Sequence, residues 1–216
     1  MSLIFAKEMV RTTLGMMRSI YCTEQYAIKA GYFHRQKVPR FDDTPNTEEW
    51  QREVYQFAAH RVQDNGYGKV VDVGCGSAYK LLKYLGSYDT IGIEVEKTLA
   101  HLRDKYPDRA WMSISEEEIF TLQPDLVICA DVIEHVEDPN KFVIVLKRIA
   151  AGSDIIISTP ERDLKRGKWH YGPSPNPYHA REWNQAELRK FLERHFKVVE
   201  KTISNEKQGT QMVLCK

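Results

Sequence analysis

The stretch Val70-Val71-Asp72-Val73-Gly74-Cys75-Gly76-Ser77-Ala78 constrains the fold more than any other part of the chain. An apolar run, a glycine turn and a helix start follow one another within nine residues. Gly74 and Gly76 present no Cβ, so a ligand can lie directly against the backbone. A helix opening near Ala78 offers free N–H groups to an anionic ligand group. Asp72 stands two residues before the first glycine, inside the apolar run. Such a strand–turn–helix unit belongs in an α/β protein with a mostly parallel sheet.

Two kinds of nucleotide pocket begin this way. A dinucleotide site needs G-x-G-x-x-G, and the third glycine position here is Tyr79. A nicotinamide-dependent oxidoreductase is therefore disfavoured. The Asp72-x-Gly74-x-Gly76 pattern instead resembles motif I of the class I S-adenosylmethionine-dependent methyltransferases. Ala78 replaces the usual last glycine of that motif. The resemblance covers roughly residues 48–216. It implies a Rossmann-like α/β sandwich: a seven-stranded mixed sheet, helices on both faces and an N-terminal helical extension. Residues 1–46 are expected to form the extension or lid, and 47–216 the methyltransferase domain.

The rest of the chain alternates as such a domain requires. Residues 1–41 give an imperfect amphipathic pattern through Ile4, Phe5, Met9, Leu14, Met17 and Tyr21, and 31–40 read as a loop. Thr44-Pro45-Asn46 is a helix-start cluster, and a helix over about 47–64 places Trp50, Val54, Phe57, Ala58 and Val62 near one face. Strands are expected at 70–73, 90–95, 111–114, 126–130, 155–158, 198–203 and 212–214. Helices are expected at 78–85, 97–105, 141–149 and 185–195, with a short turn or helix at 116–120. Residues 160–182 form one long loop, and a loop of that length is functional or disordered.

Glu94 ends the second strand, 20 residues after Gly74. A carboxylate there can accept both ribose hydroxyls of an adenosine, the role its counterpart has in the resembled family. The resemblance assigns S-adenosyl-L-methionine as cofactor, held by Asp72, Gly74, Cys75, Gly76, Ala78, Glu94 and Val95. After the third strand, Ser113, Ser115 or Glu116 stands where the family often has an Asp for the adenine amino group. The segment Ala130–Pro139 resembles the post-strand motif of small-molecule methyltransferases, a group that includes ubiquinone-pathway enzymes. It implies that Asp131 and Val132 flank the methionine part of the cofactor.

Two histidines are candidate catalytic bases, because imidazole titrates near physiological pH. His179 comes first: His179-x-Arg181-Glu182-Trp183 follows Pro173, Pro175 and Pro177, and resembles the acceptor-side segment of the same group. His135 is second; it can equally cap or pack the following helix, and His179 can likewise serve only as a helix partner. His170 lies in the basic stretch 162–171, which suits a phosphate or carboxylate on the acceptor, or is simply solvated. Tyr32, Phe33, Trp50, Trp169 and Tyr171 line an acceptor pocket or hold a lid.

Net charge is +1, so no global polyelectrolyte argument for nucleic acid exists. Charge is nevertheless segregated. Residues 111–140 carry eight acidic and no basic side chains, whereas 1–41 carry seven basic against two acidic. Cys22, Cys75, Cys129 and Cys215 show no C-x-x-C spacing, so reduced thiols are expected and no metal site. No signal peptide or membrane span is visible, and a cytoplasmic protein is expected. The expected reaction is methyl transfer to a small-molecule acceptor, anionic or sugar-linked, such as a hydroxyl of a glycan precursor. A quinone or other natural product is the alternative acceptor, and a non-catalytic cofactor-binding module the alternative class. Asn-Pro-Pro-Tyr, the mark of amino-methylating nucleic-acid enzymes, is absent after the fourth strand. Oligomeric state is left open.

Overall fold

Short apolar runs alternating with helix-period segments build one seven-stranded sheet. The computed structural model describes residues 25–46 and 50–216. Its strands are β1 (Lys69–Val73), β2 (Asp89–Glu94), β3 (Ala110–Ser113), β4 (Leu126–Ala130), β5 (Asp154–Pro160), β6 (Val198–Asn205) and β7 (Thr210–Cys215). They lie in the order β3-β2-β1-β4-β5-β7-β6. The first five are parallel, and β7 runs antiparallel to both of its neighbours. The seven-stranded mixed sheet expected from sequence is present.

Strand side chains alternate between the faces, so each central strand feeds two cores. Val71, Val73, Val127, Cys129, Ile155 and Ile157 share one core with α4 (Pro139–Ala150) and α6 (Gln185–Leu192). Val70, Leu126, Ile128 and Ile156 share the other with α1 (Arg52–Asn65), α2 (Tyr79–Leu85) and α3 (Glu96–Lys105). Burying each such aliphatic side chain contributes about 1.5–3 kcal/mol. Tyr26, Ile28 and Tyr32, from the segment preceding the sheet, belong to the first core.

Several element boundaries differ from the sequence reading. Helix α1 begins at Arg52, after Gln51 in the left-handed region (φ 61°). Thr44-Pro45 forms a turn instead of a helix start, with Asp42 Oδ1 accepting from the Thr44 N–H at 3.2 Å. Residues 1–24 and 47–49, with the amphipathic pattern read from Ile4 to Tyr21, lie outside the described residues. The buried face of α1 is Val54, Tyr55, Ala58 and Val62, while Trp50 is exposed and Phe57 only partly buried. Gly66 ends the helix with φ 66°, its N–H bonded back to Val62 and Gln63.

The segment read as a single loop over 160–182 is not loop throughout. Strand β5 extends to Pro160, and α5 (Arg162–Arg166) follows, capped by Glu161 accepting from the Leu164 N–H. What orders this segment is buried charge. Arg162, fully buried, pairs with Glu187 at 3.0 Å and with Asp163 at 3.0 Å. Arg181, also fully buried, donates to the carbonyls of Val136 and Glu137, both at 2.7 Å. Trp183 donates its indole N–H to the Tyr26 carbonyl at 2.8 Å. No apolar periodicity marks such a frame, which is why pattern reading took it for open loop.

Candidate active site

In a doubly wound sheet, ligands bind beyond the carboxyl ends of the strands, where strand order reverses. Here the reversal falls between β1 and β4, and a cavity of about 970 Å³ opens there. Its wall includes Gly74, Cys75 and Gly76 after β1, Glu94 and Val95 after β2, Ile114 after β3, and Asp131 and Val132 after β4. Glu134, His135, Lys165, Arg166, Asn176 and His179 add a second group. Val38–Asp43 and Trp50 complete it from the N-terminal side.

The glycine turn is shaped by close neighbours. Gly74 has φ 79°, and its N–H donates to the Ile93 carbonyl at 2.8 Å. A Cβ on Gly74 would run into Val132, and one on Gly76 (φ 56°) into the Asp43 side chain. Glu94 braces the turn: Oε1 accepts the Gly76 N–H at 3.0 Å and Oε2 accepts the Val95 N–H at 2.9 Å. Each oxygen keeps a lone pair for a further donor.

Four of the residues expected to hold the cofactor, Asp72, Ala78, Ser113 and Ser115, do not line the cavity. Asp72 is fully buried and accepts from the Tyr55 hydroxyl at 2.9 Å, with Oδ1 lacking a hydrogen bond. Burial, with Glu94 nearby, pushes its carboxyl up to about 7 against the opposing pull of Tyr55 and Lys80. Ala78 caps α2 in the left-handed region (φ 57°) and is fully buried. Ser113 and Ser115 share a hydroxyl–hydroxyl bond of 2.8 Å, and Glu116 accepts the Ser113 N–H at 2.9 Å. At that position Ile114 faces the cavity.

After β4, Asp131 adopts φ 52° and is tied on both oxygens, to Ser158 Oγ at 2.7 Å and Gln51 Nε2 at 2.8 Å. Burial raises its carboxyl above the usual range. Glu134 follows on a short 3-10 turn (Ile133–His135) and is 1% exposed. Its Oε2 accepts from Thr159 Oγ1 at 2.9 Å, while Oε1 has no hydrogen-bond donor. Burial, then Asp131, raises this carboxyl well above its ordinary value.

The two histidines meet. Their rings lie edge to face at 4.8 Å between centroids. His135 Nδ1 contacts the Tyr178 carbonyl at 2.9 Å, and burial, with His179 beside it, lowers its pKa to about 4. His179 Nδ1 contacts Glu182 Oε1 at 2.8 Å. Burial alone would raise the Glu182 carboxyl, but His179, Ser174 and Arg166 outweigh it and hold it at about 2. Sequence reasoning missed Glu134, Glu182 and Asn176 as partners of these rings. The Arg40–Asp43 strap lies within the segment read as an extension or lid, but its contacts were not foreseen: Arg40 reaches Thr98 and Phe41 stacks on His135 at 5.9 Å. Glu134, Asn176 and Glu182 sit inside segments already singled out; nothing local signals which residues of the N-terminal segment reach the cavity. His170 does not reach the wall. Cys75, Cys129 and Cys215 are buried free thiols, and among the described residues no helix is long and apolar enough to cross a membrane.

The sheet order and this cavity define a class I methyltransferase fold. The profile of the methyltransferase domain matches residues 41–201, and the chain belongs to that family. A protein of Mycolicibacterium smegmatis named as a probable S-adenosylmethionine-dependent methyltransferase is 34% identical over 148 residues, 65% of this chain and 54% of that protein. The ubiquinone biosynthesis O-methyltransferase of Methylococcus capsulatus is 35% identical over 108 residues, 45% of each. The matches thus span about half the length of these curated relatives. Among solved structures, the methyltransferase domain of bacterial CtHen1 superposes with TM-score 0.59 at 20% identity, covering 79% of this chain and 98% of that one. The plantazolicin methyltransferase BpumL, solved with S-adenosylhomocysteine, gives 0.55 at 15%, covering 76% and 82%. Both likenesses are of fold.

Proposed function

We propose that this chain is an S-adenosylmethionine-dependent methyltransferase acting on a hydroxyl of a small-molecule acceptor. The observation that carries this reading is one cavity with two walls: a glycine turn braced by Glu94, and a polar corner of Glu134, His135 and His179. A volume of about 970 Å³ is at the upper end for ligand pockets and leaves room for donor and acceptor together.

The residues present fit the donor. Backbone without Cβ lies at Gly74 and Gly76, and Glu94 retains acceptor capacity for ribose hydroxyls. Asp131 and Val132 face the same space from β4. Bound there, S-adenosylmethionine supplies a methyl group activated by its sulfonium centre. The protein's own work is to orient and to exclude water. Phe41, stacked on His135, and Asp43, packed on Gly76, cover the cavity from the N-terminal strap. His179, its ring fixed by Glu182, relieves the acceptor oxygen of its proton, and His135, neutral beside it, helps to hold that oxygen.

The acceptor of this reading is anionic or sugar-linked. Lys165 and Arg166 support it: both reach the wall, and each has donors beyond its bonds to the Gln208 carbonyl and Glu182. A phenolic acceptor is the second reading, supported by Phe41 and Trp50 on the wall and by the ubiquinone-pathway relative.

Calorimetric titration with S-adenosylhomocysteine, with NAD as control, tests the donor site. One-site binding is expected for the former alone. A panel of free sugars, sugar phosphates and catechols, scored by S-adenosylhomocysteine release, then tests the acceptor. Turnover on catechols alone would overturn the sugar reading; no S-adenosylhomocysteine binding would overturn both.

A further inference from the structure

We propose that Glu134, His135 and His179 form a binding site for a divalent metal cation, whose remaining coordination positions face the cavity and take the acceptor's oxygen. One ligand atom from each of the three residues lies within 4.8 Å of the other two. The absence of C-x-x-C spacing speaks only to thiolate sites; this donor set is assembled from two segments 44 residues apart, Glu134-His135 and His179.

The hydrogen bonds fix which atoms are free to ligate. His135 Nδ1 faces a carbonyl, that of Tyr178, so Nδ1 carries the hydrogen and Nε2 presents a lone pair. For His179, Nδ1 faces the Glu182 carboxylate and also carries its hydrogen. Its Nε2 faces Asn176 Nδ2 at 2.9 Å. The Tyr178 N–H donates to Asn176 Oδ1 at 3.0 Å, which makes the Asn176 group facing His179 an amide donor and Nε2 an acceptor. Both rings therefore direct Nε2 lone pairs, each backed through Nδ1 by an oxygen. A metal-ligating histidine is normally backed in this way. In the cation-bound form Asn176 yields His179 Nε2 to the metal.

Glu134 provides the independent sign of a missing partner. Its side chain is 1% exposed, Thr159 satisfies Oε2, and Oε1 is buried without a donor, 4.0 Å from His135 Nε2. A buried carboxylate oxygen left unpaired costs stability. A cation between Oε1 and the two Nε2 atoms satisfies all three. At bonds of 2.0–2.2 Å, tetrahedral ligand atoms stand about 3.4 Å apart, so the three side chains must close by about 1 Å.

Two imidazoles and one carboxylate suit zinc, cobalt, iron or manganese. Magnesium prefers oxygen ligands. Three protein ligands leave at least one position open. With the cation bound the two imidazoles serve as its ligands and no longer as bases: an acceptor hydroxyl in the open position becomes more acidic, and its proton passes to water. The inference deepens the reading above: it rests on it for the acceptor, while cation binding stands by itself.

The test titrates the chelator-treated 216-residue chain with Co²⁺, Zn²⁺ and Mg²⁺, by calorimetry and by the visible d–d spectrum of cobalt. One equivalent of Co²⁺ is expected, displaced by Zn²⁺ and not matched by Mg²⁺. Glu134→Gln and His135→Gln should each weaken it at least tenfold while still binding S-adenosylhomocysteine. If those variants do not fold, electron spin echoes of the wild-type Mn²⁺ adduct must show imidazole nitrogen. Absence of cobalt and zinc binding, affinity unchanged by folded variants, or no nitrogen coupling overturns the site. S-adenosylhomocysteine binding on the same samples separates this failure from failure of the methyltransferase reading.

Discussion

Glu94 reaches from the end of β2 to accept the Gly76 N–H at 3.0 Å, so one carboxylate links the second strand to the turn after the first. Position and function coincide here: the group proposed to hold a ribose also holds the turn that would cradle the donor. Charged hydrogen bonds contribute about 1.5–3 kcal/mol each. Glu94→Ala is therefore expected to weaken S-adenosylhomocysteine binding by roughly 10–100-fold. Calorimetry reads this directly, and an unchanged Kd would remove Glu94 from the site.

Gly74 and Val132 are expected to be energetically coupled. Gly74→Ala places a methyl group against Val132 on a backbone with φ 79°. Left-handed backbone costs about 1–2 kcal/mol and overpacking about 1–3 kcal/mol. Adding Val132→Ala removes the collision but not the backbone strain. Urea unfolding of both single variants and the pair should give a coupling of about 1 kcal/mol or more. Strict additivity would refute the close approach.

Asp72 makes the stability of the ligand-free protein depend on pH. Its carboxyl rises from 3.8 to about 7 in the folded state, chiefly by burial. Tyr55, Lys80, Glu94 and the Cys75 and Cys129 thiols are the ionisable groups near it. The folded protein then binds more protons than the unfolded chain between these values. Its contribution to stability is complete below pH 4 and lost as pH rises through 7. Asp72→Asn, which keeps an acceptor for Tyr55, should flatten that decline by up to a few kcal/mol. Parallel pH profiles of Tm for the two proteins would contradict the shift.

Arg181 is expected to tolerate no substitution, lysine included. Its guanidinium spans two carbonyls at 2.7 Å and lies 4.3 Å from the Tyr26 ring centroid. An ammonium on a flexible stem cannot reproduce that fork. Arg181→Lys should cost about 1–3 kcal/mol, because an ammonium cannot serve both carbonyls from the buried position of Arg181. Denaturant midpoints measure it, and a loss below about 0.5 kcal/mol would show that the fork does not organise the segment.

Most of the sheet was legible because its signals are local. Leu126–Ala130 is a continuous apolar run, Ile155–Ile157 form the apolar centre of β5, and Val70–Val73 is apolar but for Asp72, as strands buried on both faces require. Gly74 and Gly76 announce the turn by lacking a Cβ. Boundaries were less legible. Helix α1 starts where Gln51 enters left-handed backbone and reaches Asp131, a contact 80 residues away that no local pattern encodes. The 160–182 segment looked open because Arg162, Arg181 and Glu182 read as solvent-seeking, although each is fully buried: Arg162 against Glu187, Arg181 against the Val136 and Glu137 carbonyls, and Glu182 among His179, Ser174 and Arg166 of the segment itself.

The sequence by itself determined the strand–turn–helix unit and the sheet class, because periodicity and backbone freedom act over a few residues; Glu94, Asp131 and Val132, which border the same cavity as Gly74 and Gly76, were marked by the resemblance. Only the tertiary structure decided that Ile114 faces the cavity while Ser113 and Ser115 turn away. It alone brought His135 against His179 beside an unpaired oxygen of Glu134. Those outcomes depend on how a buried, charge-braced loop packs across the sheet edge, and long-range hydrogen bonds, not local propensity, set that packing.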